Sequence, residues 1–387
     1  MQHQPSPSPV SPPDALDVVV IGAGQAGLAI GWHLARQERR FVMVDAAPSL
    51  GHSWRSRWDS LRLFSPARYD SLPGMPFPAP PDSYPGKDDV ADYLTAYADR
   101  FQLPVLLDHA VTRLTHHPNE DEARFTVHTS QGPLRTRRVV VATGAFQRPH
   151  VPAVAGAFPD GVEHLHSSDY RNPNALPAGP VLVVGAGNSG LQIAEELVTA
   201  GREVHLAVGS QPPQLPQRFL GRDLFWWLTK TGAIRKPATS FLARRMRARG
   251  DLVIGTSTSR VAELGVTLRP RLAGAGPQGA EFADGTHMLP STVVWATGFR
   301  PDFRWLAISD AFDFAGPRDG ALPLHERGVS PVDGLYFLGL PWQHTRGSAL
   351  LGFVGEDAEW LANRLDENDA RRDTGSAVRR TQPSSVA

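Results

Sequence analysis

VVVIGAGQAG at residues 18–27 is the stretch that decides the fold, and a close copy, VLVVGAGNSG, occurs at residues 181–190. In each copy a run of apolar, mostly β-branched residues leads into glycines spaced Gly-x-Gly-x-x-Gly. An apolar strand that enters such a turn and continues as a helix begins a βαβ unit. The two copies therefore predict two doubly wound units in one chain.

The hydrophobic periodicity around both copies predicts alternating strands and helices. Strands are expected near residues 17–21, 41–45, 110–114, 125–129, 139–142, 203–208 and 291–295, and helices near 26–36, 88–101 and 348–365. A loop-rich stretch with many Pro, Trp and Arg residues covers residues 48–86. This alternation predicts an α/β fold of two dinucleotide-binding (Rossmann-like) domains.

The first glycine turn has the residue types that hold a dinucleotide. Its first glycine permits a tight turn, the second lets a pyrophosphate approach the backbone, and the third lets helix and strand pack closely. The phosphates would face unpaired N–H groups at the start of the helix. The cofactor-binding residues predicted here are Gly22, Gly24, Gln25, Ala26 and Gly27.

The two turns differ in the residue that ends the next strand along the chain. Asp45 ends the strand after the first turn, where a carboxylate accepts hydrogen bonds from ribose hydroxyls. The strand after the second turn ends in LAVGS without an acid, and an acid there would repel a 2′-phosphate. Ser210 and Arg218 are candidate partners of that phosphate, with an ordinary surface role equally open for Arg218. The other residues predicted to bind the dinucleotide at the second turn are Gly185, Gly187, Asn188, Ser189 and Gly190.

An acid after one turn and none after the other suggests FAD at the first and NADPH at the second. A hydride donor and a flavin acceptor on one chain predict a flavin oxidoreductase. The expected domains are a flexible leader (1–14), an FAD-binding domain (15–172 and 291–366), an inserted NADPH-binding domain (173–290) and a flexible tail (367–387).

Composition narrows the remaining options. Basic and acidic residues number 39 each in 387 residues, so net charge favours neither nucleic acid nor an anionic membrane as the main partner. No apolar run is long enough to span a bilayer, and the first residues lack the pattern of a secretion signal, so a cytoplasmic protein is expected. The absence of cysteine excludes a thiolate nucleophile, a redox disulfide and a Cys-based zinc site. No metal site is predicted.

Between the two turns, FPDGVEHLHSSDYRNP at residues 158–173 resembles the linker of the class B flavoprotein monooxygenases, F-x-G-x-x-x-H-x-x-x-Y/F/W. The fit uses Phe158, Gly161, His166 and Tyr170, with one extra residue in each of the first two gaps. GHSW at 51–54 and the ATG sequences at 142–144 and 296–298 also resemble family motifs. Longer stretches, such as WRSRWDSLRLFSPARYDSLPGMPFP and GLYFLGLPWQHTRGSALLGFVGEDA, are similar to bacterial flavoproteins often labelled for potassium transport and to plant auxin-forming monooxygenases.

This resemblance implies further cofactor contacts. Trp54 and Arg55 would contact FAD, with loop packing and solvation as the alternative, and Val111 would offer its backbone to the adenine. A helix beginning near residues 346–348, with Ser348 at its start, would point its positive end at the flavin ring, unless it is an ordinary buried helix. The two ATG sequences, where the chain would cross between the domains, would contribute further contacts. These residues are Ala142, Thr143, Gly144, Ala296, Thr297 and Gly298.

The resemblance also implies the reaction. NADPH would reduce the flavin, and a C4a-hydroperoxyflavin formed with O2 would oxygenate a small nucleophilic or carbonyl substrate. The animal enzymes carry an Asn at about the position of Leu63 and Phe64, and its absence here keeps an NADPH:acceptor reductase or oxidase open as an alternative. A redox-sensing regulator of cation transport is a second alternative. His166 is a linker residue or a hinge histidine bonded to backbone. No catalytic residue is assigned, and the oligomeric state is open, with a homodimer among the options.

Overall fold

The computed structural model describes residues 15–250, 252–313 and 320–380, with side chains of the last helix described to residue 367. The predicted leader at 1–14 lies outside this range. The elements up to residue 141 are β1 (Leu16–Ile21), α1 (Gln25–Arg36), β2 (Phe41–Val44), α2 (His52–Arg55), α3 (Lys87–Arg100), β3 (Val105–Leu106), β4 (Val111–His116), β5 (Phe125–Thr129) and β6 (Gly132–Val141).

The middle of the chain contains the second glycine turn and a region of short elements. In order, these are β7 (Arg148–Pro149), β8 (Glu163–His166), β9 (Val181–Val184), α4 (Asn188–Thr199), β10 (Val204–Ala207), β11 (Gln214–Leu215), β12 (Arg218–Phe219), β13 (Arg222–Asp223), α5 (Leu224–Lys230), α6 (Phe241–Ala248), β14 (Val253–Ile254) and α7 (Thr258–Glu263).

The last part of the chain completes both sheets. Its elements are β15 (Thr267–Arg269), β16 (Leu272–Gly276), β17 (Gly279–Phe282), β18 (His287–Met288), β19 (Thr292–Trp295), β20 (Phe299–Arg300), β21 (Leu335–Phe337) and α8 (Val354–Arg380).

The first sheet has the order β3-β2-β1-β6-β5-β4, and β21 pairs with β6. The end of β6 pairs in parallel with β1 and β21, whereas its beginning pairs with β5 in antiparallel fashion. Helices α1, α3 and α8 bury their apolar residues against one face of this sheet. Such burial is the main stabilising contribution to the packing.

The second sheet is parallel throughout, in the order β15-β10-β9-β19-β8. Its central strand, β9, is a run of four buried apolar residues, as expected of a parallel strand covered on both faces. Each glycine turn thus comes directly after a central parallel strand. Ligands of open α/β sheets bind at this position, beyond the carboxyl ends of the strands. The predicted α/β fold with two dinucleotide-binding domains is confirmed.

Three expectations about boundaries need correction. The boundaries at 172/173 and 290/291 assigned β8 and β19 to the FAD domain, whereas backbone pairing places both strands in the second sheet beside β9. The last helix begins at Val354 rather than near residue 348, because residues 346–349 form a separate 3₁₀ turn. Helical backbone also continues to Arg380, through most of the predicted tail, while residues 381–387 lie outside the described range.

Candidate functional site

The first glycine turn has the geometry that its sequence predicts. Gly22 has φ +104°, and a Cβ on it would lie 2.5 Å from the carbonyl oxygen of Ala142. A Cβ on Gly27 would lie 1.9 Å from the Gly22 carbonyl oxygen, so no larger residue fits there. Around a Cβ on Gly24, by contrast, no other atom lies within 4 Å. Protein packing therefore requires glycine at the outer two positions and leaves open space at the middle one.

The second glycine turn repeats this geometry. Gly185 has φ +112°, and its Cβ would lie 2.4 Å from the carbonyl oxygen of Ala296. A Cβ on Gly190 would lie 1.9 Å from the Gly185 carbonyl oxygen, whereas a Cβ on Gly187 would meet nothing within 4 Å. We call residues 22–27 the first cradle and residues 185–190 the second cradle.

Both cradles end at a helix start that suits an anion. Gly24 and Gly187 are the N-cap residues of α1 and α4, and neither helix has a side-chain cap or an acid in its first turn. The first N–H groups of an uncapped helix carry a partial positive charge. Open space beside such N–H groups fits the pyrophosphate of a dinucleotide.

The two arginines that could contact a cofactor at the second cradle, Arg218 and Arg271, lie in different elements of the structure. Arg218 lies in the β12–β13 hairpin, where its Nη2 donates to the Gly221 carbonyl oxygen at 3.2 Å. Arg271 lies just after β15, the neighbour of β10, and a Cβ on Gly209 would lie 3.5 Å from its Nε. Sequence reasoning missed Arg271 because the pairing of β15 with β10 brings it beside Gly209, the residue before Ser210.

On the first sheet, Asp45 is held by backbone. Its Oδ2 accepts from the Ala23 N–H at 2.7 Å, which places the carboxylate against the first cradle. Arg55 forms a 2.6 Å ion pair with Asp92 on α3, and Trp54 packs against the core of the first sheet. Val111 begins β4. The cofactor contacts of these residues stay predictions.

The two ATG crossings lie side by side and form the connection between the sheets. After the crossings, β7 and β20 pair as an antiparallel ribbon, with Phe299 opposite Pro149. The His150 N–H donates to the Gly298 carbonyl oxygen at 3.0 Å, and the Thr297 hydroxyl donates to the His150 carbonyl oxygen. We call residues 148–149 and 299–300 the ribbon. Because Ala142 and Ala296 also abut the two cradles, the ribbon joins the cradles through a short path.

Gln147 strengthens this connection, and sequence reasoning did not identify it. Its Nε2 donates to the Thr143 hydroxyl at 2.6 Å and to the Gly144 carbonyl oxygen at 3.0 Å. Its Oε1 accepts from the Asp302 N–H. One side chain thus ties the first crossing to the segment after the second. No sequence motif marks Gln147, because the bond depends on the proximity of the crossings.

His166 is bonded to backbone, as the hinge alternative expected. Its Nδ1 accepts from the Ser168 N–H at 3.2 Å, so its Nε2 carries the proton and donates to the Gly298 carbonyl oxygen at 2.9 Å. Burial lowers the pKa of His166, in keeping with a neutral ring. Tyr170 is buried in the second domain, where its hydroxyl donates to Glu196 at 2.8 Å.

The chain returns to the first cradle near its end. A Cβ on Gly339 would lie 2.8 Å from the Cβ of Ala26, and the Gln25 Nε2 donates to the Ala349 carbonyl oxygen at 3.1 Å. Ser348 is buried, and its hydroxyl oxygen accepts from the N–H groups of His344 and Thr345. Ser348 therefore shapes a loop at the first cradle. The α-helix that was expected to begin there begins at Val354 instead.

An apolar pocket lies beside this loop. Its walls include Phe64, Phe225, Leu228, Ile234, Arg346 and Leu350. Phe64 and Phe225 stack with their ring centroids 6.0 Å apart. Phe64 is one of two residues, with Leu63, at about the position where the resemblance puts an Asn of the animal enzymes near the flavin.

A buried carboxyl group, Asp70, lies in the loop that follows Phe64 and was not predicted. The Ser65 hydroxyl donates to its Oδ1 at 2.5 Å, and its Oδ2 has no hydrogen-bond partner among the described residues. Burial raises the pKa of Asp70 to about 7. Asp70 contacts the chain just before α8, since a Cβ on Gly352 would lie 3.0 Å from the Asp70 Cα.

Residues 19–217 match the family model described as pyridine nucleotide-disulphide oxidoreductase. The chain belongs to this family. Among family relatives, the uncharacterized oxidoreductase CzcO-like of Geobacillus kaustophilus is 44% identical over 351 residues, which cover 90% of this chain and 98% of the relative. The probable indole-3-pyruvate monooxygenase YUCCA7 of Arabidopsis thaliana is 27% identical, over 86% of this chain and 84% of the relative.

A solved structure gives the same result at the level of the fold. The flavin-containing monooxygenase from Stenotrophomonas maltophilia superposes with a TM-score of 0.72 at 30% identity, over 92% of this chain and 99% of that chain. These matches confirm the resemblance to flavin monooxygenases that the motifs indicated. The protein is thus an oxidoreductase related to flavin monooxygenases, in a family that uses flavin and pyridine nucleotide. Within the described residues, no helix is long and apolar enough to cross a membrane.

Proposed function

We propose that this protein uses FAD and NADPH to transfer one atom of O2 to a small apolar nucleophile or carbonyl compound. The observation that carries the proposal is the pair of open cradles, each built against one crossing of a shared ribbon. FAD would lie against the first cradle and NADPH against the second. Bound together, these cofactors supply hydride transfer and the activation of O2.

The residues of the chain bind and orient the cofactors in this proposal. The uncapped first turns of α1 and α4 would accept the two pyrophosphates, and the Asp45 carboxylate would accept from ribose hydroxyls. Ser210 and Arg271 would face the 2′-phosphate of NADPH, with Arg218 as the alternative to Arg271. The ribbon would keep the two cofactors at a fixed separation.

The substrate would lie at the apolar pocket, whose volume of about 30 Å³ would have to widen to admit it. Its walls are almost entirely hydrocarbon, and the side chain of Arg346 supplies the charge at its edge. Such a lining favours a small apolar compound and keeps water away from the reacting atoms. The relatives named as monooxygenases support oxygen transfer.

One observation favours a second function. Leu63 and Phe64 lie at about the position that carries an Asn in the animal enzymes, and neither side chain can donate an N–H hydrogen bond. A protein without that donor could pass electrons to O2 or another acceptor without transferring oxygen. The missing cysteines exclude disulfide reduction, despite the family's name.

An ¹⁸O2 labelling experiment distinguishes the two functions. The FAD-loaded protein would be supplied with NADPH, ¹⁸O2 and a thioether or a cyclic ketone, and NADPH consumption, peroxide and labelled product would be measured. We expect ¹⁸O in the product and less than one peroxide per NADPH when the substrate is present. One peroxide per NADPH with every substrate, and no label in any product, would establish the oxidase instead.

A further inference from the structure

The charges of this chain are unevenly distributed. Residues 214–250, which we call the basic segment, contain nine Arg and Lys residues and one acid, Asp223, although the whole chain has 39 of each sign. The segment runs from β11 to the residues just after α6. Its formal charge is therefore +8 within a neutral molecule.

The lone acid of the basic segment does not neutralise its surface. Asp223 accepts from the Tyr84 hydroxyl at 2.6 Å, from the Gln217 Nε2 at 2.9 Å and from the Phe225 N–H at 2.7 Å. Of the basic side chains, Arg235 pairs with Glu356 at 2.7 Å. Six others are exposed and form no ion pair with a described carboxylate: Lys230, Lys236, Arg244, Arg245, Arg247 and Arg249.

The same segment exposes large apolar side chains. Five of the twelve exposed large hydrophobic residues in the described chain belong to it: Leu215, Phe219, Leu220, Phe241 and Leu242. Leu220 and Phe241 are each 75% exposed. Inner residues such as Phe225 and Leu228 line the pocket and hold the segment in place, so the exposed ones are free to contact another surface.

Leu220 is unusual in its backbone as well. It has φ +48° and precedes Gly221 at φ +75° at the tip of the β12–β13 hairpin. Two positive φ values in succession favour Asn-Gly or Gly-Gly, and leucine is disfavoured there. The hairpin thus presents a large apolar residue at a position where a small polar residue would be more stable.

We propose that the basic segment attaches this protein to the surface of an anionic membrane. Exposed Arg and Lys residues are attracted to anionic lipid headgroups, while Phe and Leu side chains with nearby Trp enter the headgroup boundary. Trp226 and Trp227, both half-buried on α5, supply the aromatic residues that favour this boundary. The attachment is peripheral and does not depend on the proposed reaction.

The composition of the segment argues against the other occupants. Single-stranded nucleic acid stacks its bases on exposed aromatic rings, and Phe219 and Phe241 are such rings, but the exposed aliphatic side chains Leu220 and Leu242 have no role in stacking. A two-fold interface between copies of this chain would bring two +8 segments together, which Coulomb repulsion opposes. An anionic lipid surface complements both the charge and the apolar residues.

Vesicle cosedimentation of the full FAD-loaded chain tests the proposal. Vesicles of phosphatidylcholine alone would be compared with vesicles containing phosphatidylglycerol at a 7:3 ratio, in low and high salt. We expect binding to the anionic vesicles that weakens with salt and is much lower on the neutral ones. Arg244→Gln with Arg245→Gln should weaken binding about fivefold for each charge removed.

Leu220→Asn separates lipid contact from folding. Asparagine suits the positive φ at this position, so the hairpin should be at least as stable, while vesicle binding should fall about tenfold or more. Leu289→Asn, at a residue 58% exposed elsewhere, should leave binding unchanged. Failure to bind anionic vesicles, equal binding to neutral ones, or tighter binding to a labelled single-stranded oligonucleotide would overturn the proposal.

Discussion

At the scale of single residues, the three glycines of a cradle have different roles that substitution can separate. Gly24→Ala adds a methyl group to open space, so we expect a folded protein whose affinity for FAD falls roughly tenfold to a hundredfold. Gly27→Ala would place a Cβ 1.9 Å from the Gly22 carbonyl oxygen, so we expect loss of soluble protein. The measurements are FAD content after purification and circular dichroism. A Gly24→Ala protein that retains full FAD would contradict the assignment of the first cradle.

Arg271 and Arg218 form a matched pair for the second cradle. A charge-assisted hydrogen bond to phosphate contributes about 1.5–3 kcal/mol, so Arg271→Ala should weaken NADPH binding roughly tenfold to a hundredfold. Binding of NADH, which lacks the phosphate, should not change. Dissociation constants for both nucleotides in the two alanine variants provide the test. A selective loss in Arg218→Ala alone would return the role to the residue that the sequence suggested.

At the scale of elements, His166 links β8 to the second crossing, and its titration should be visible in stability. Its pKa is lowered in the folded state, so below about pH 6.5 the unfolded chain takes up the proton more readily and stability falls as the pH falls. Between pH 7.5 and 5.5, we expect the free energy of unfolding of the wild type to fall more than that of His166→Gln. Urea unfolding at both pH values measures this difference.

The exposed His287 provides the control for that experiment. The same pH series on His287→Gln shows how much of any change comes from removing a histidine at an exposed position. An identical pH dependence in His166→Gln and the wild type would show that His166 takes up a proton in the folded state as readily as in the unfolded chain.

The sequence was most informative where local chemistry alone determines the element. Both glycine turns, at residues 22–27 and 185–190, were identified from the sequence, because the strand, the tight turn and the start of the helix together require glycine there. The sequence could not show that β8 and β19 pair beside β9, because strand pairing depends on contacts far apart in the chain. Arg271, Gln147 and Asp70 were missed for the same reason: their neighbours come from distant segments.

At the scale of the whole molecule, the overall composition gave no sign of the basic segment and its excess of positive charge. Equal totals of acidic and basic residues predicted no preference for an anionic surface, yet residues 214–250 have a formal charge of +8. Net charge does not reveal a local excess of one sign, which acts on a partner at close range. A charge sum in a moving window of about forty residues would have revealed the basic segment from the sequence.

The strands of the second sheet lie in sequence between β6 and β21 of the first sheet, and this sets the order in which the two sheets can be completed during synthesis. Every strand of the second sheet has left the ribosome once residue 295 is made and extruded, whereas the first sheet still lacks β21, at residues 335–337. The loop that reaches Ala26 and Gln25 comes later still, at residues 339–349. The inserted domain can therefore fold while the outer one is unfinished, and the first cradle acquires its last neighbours only after residue 349 has left the ribosome.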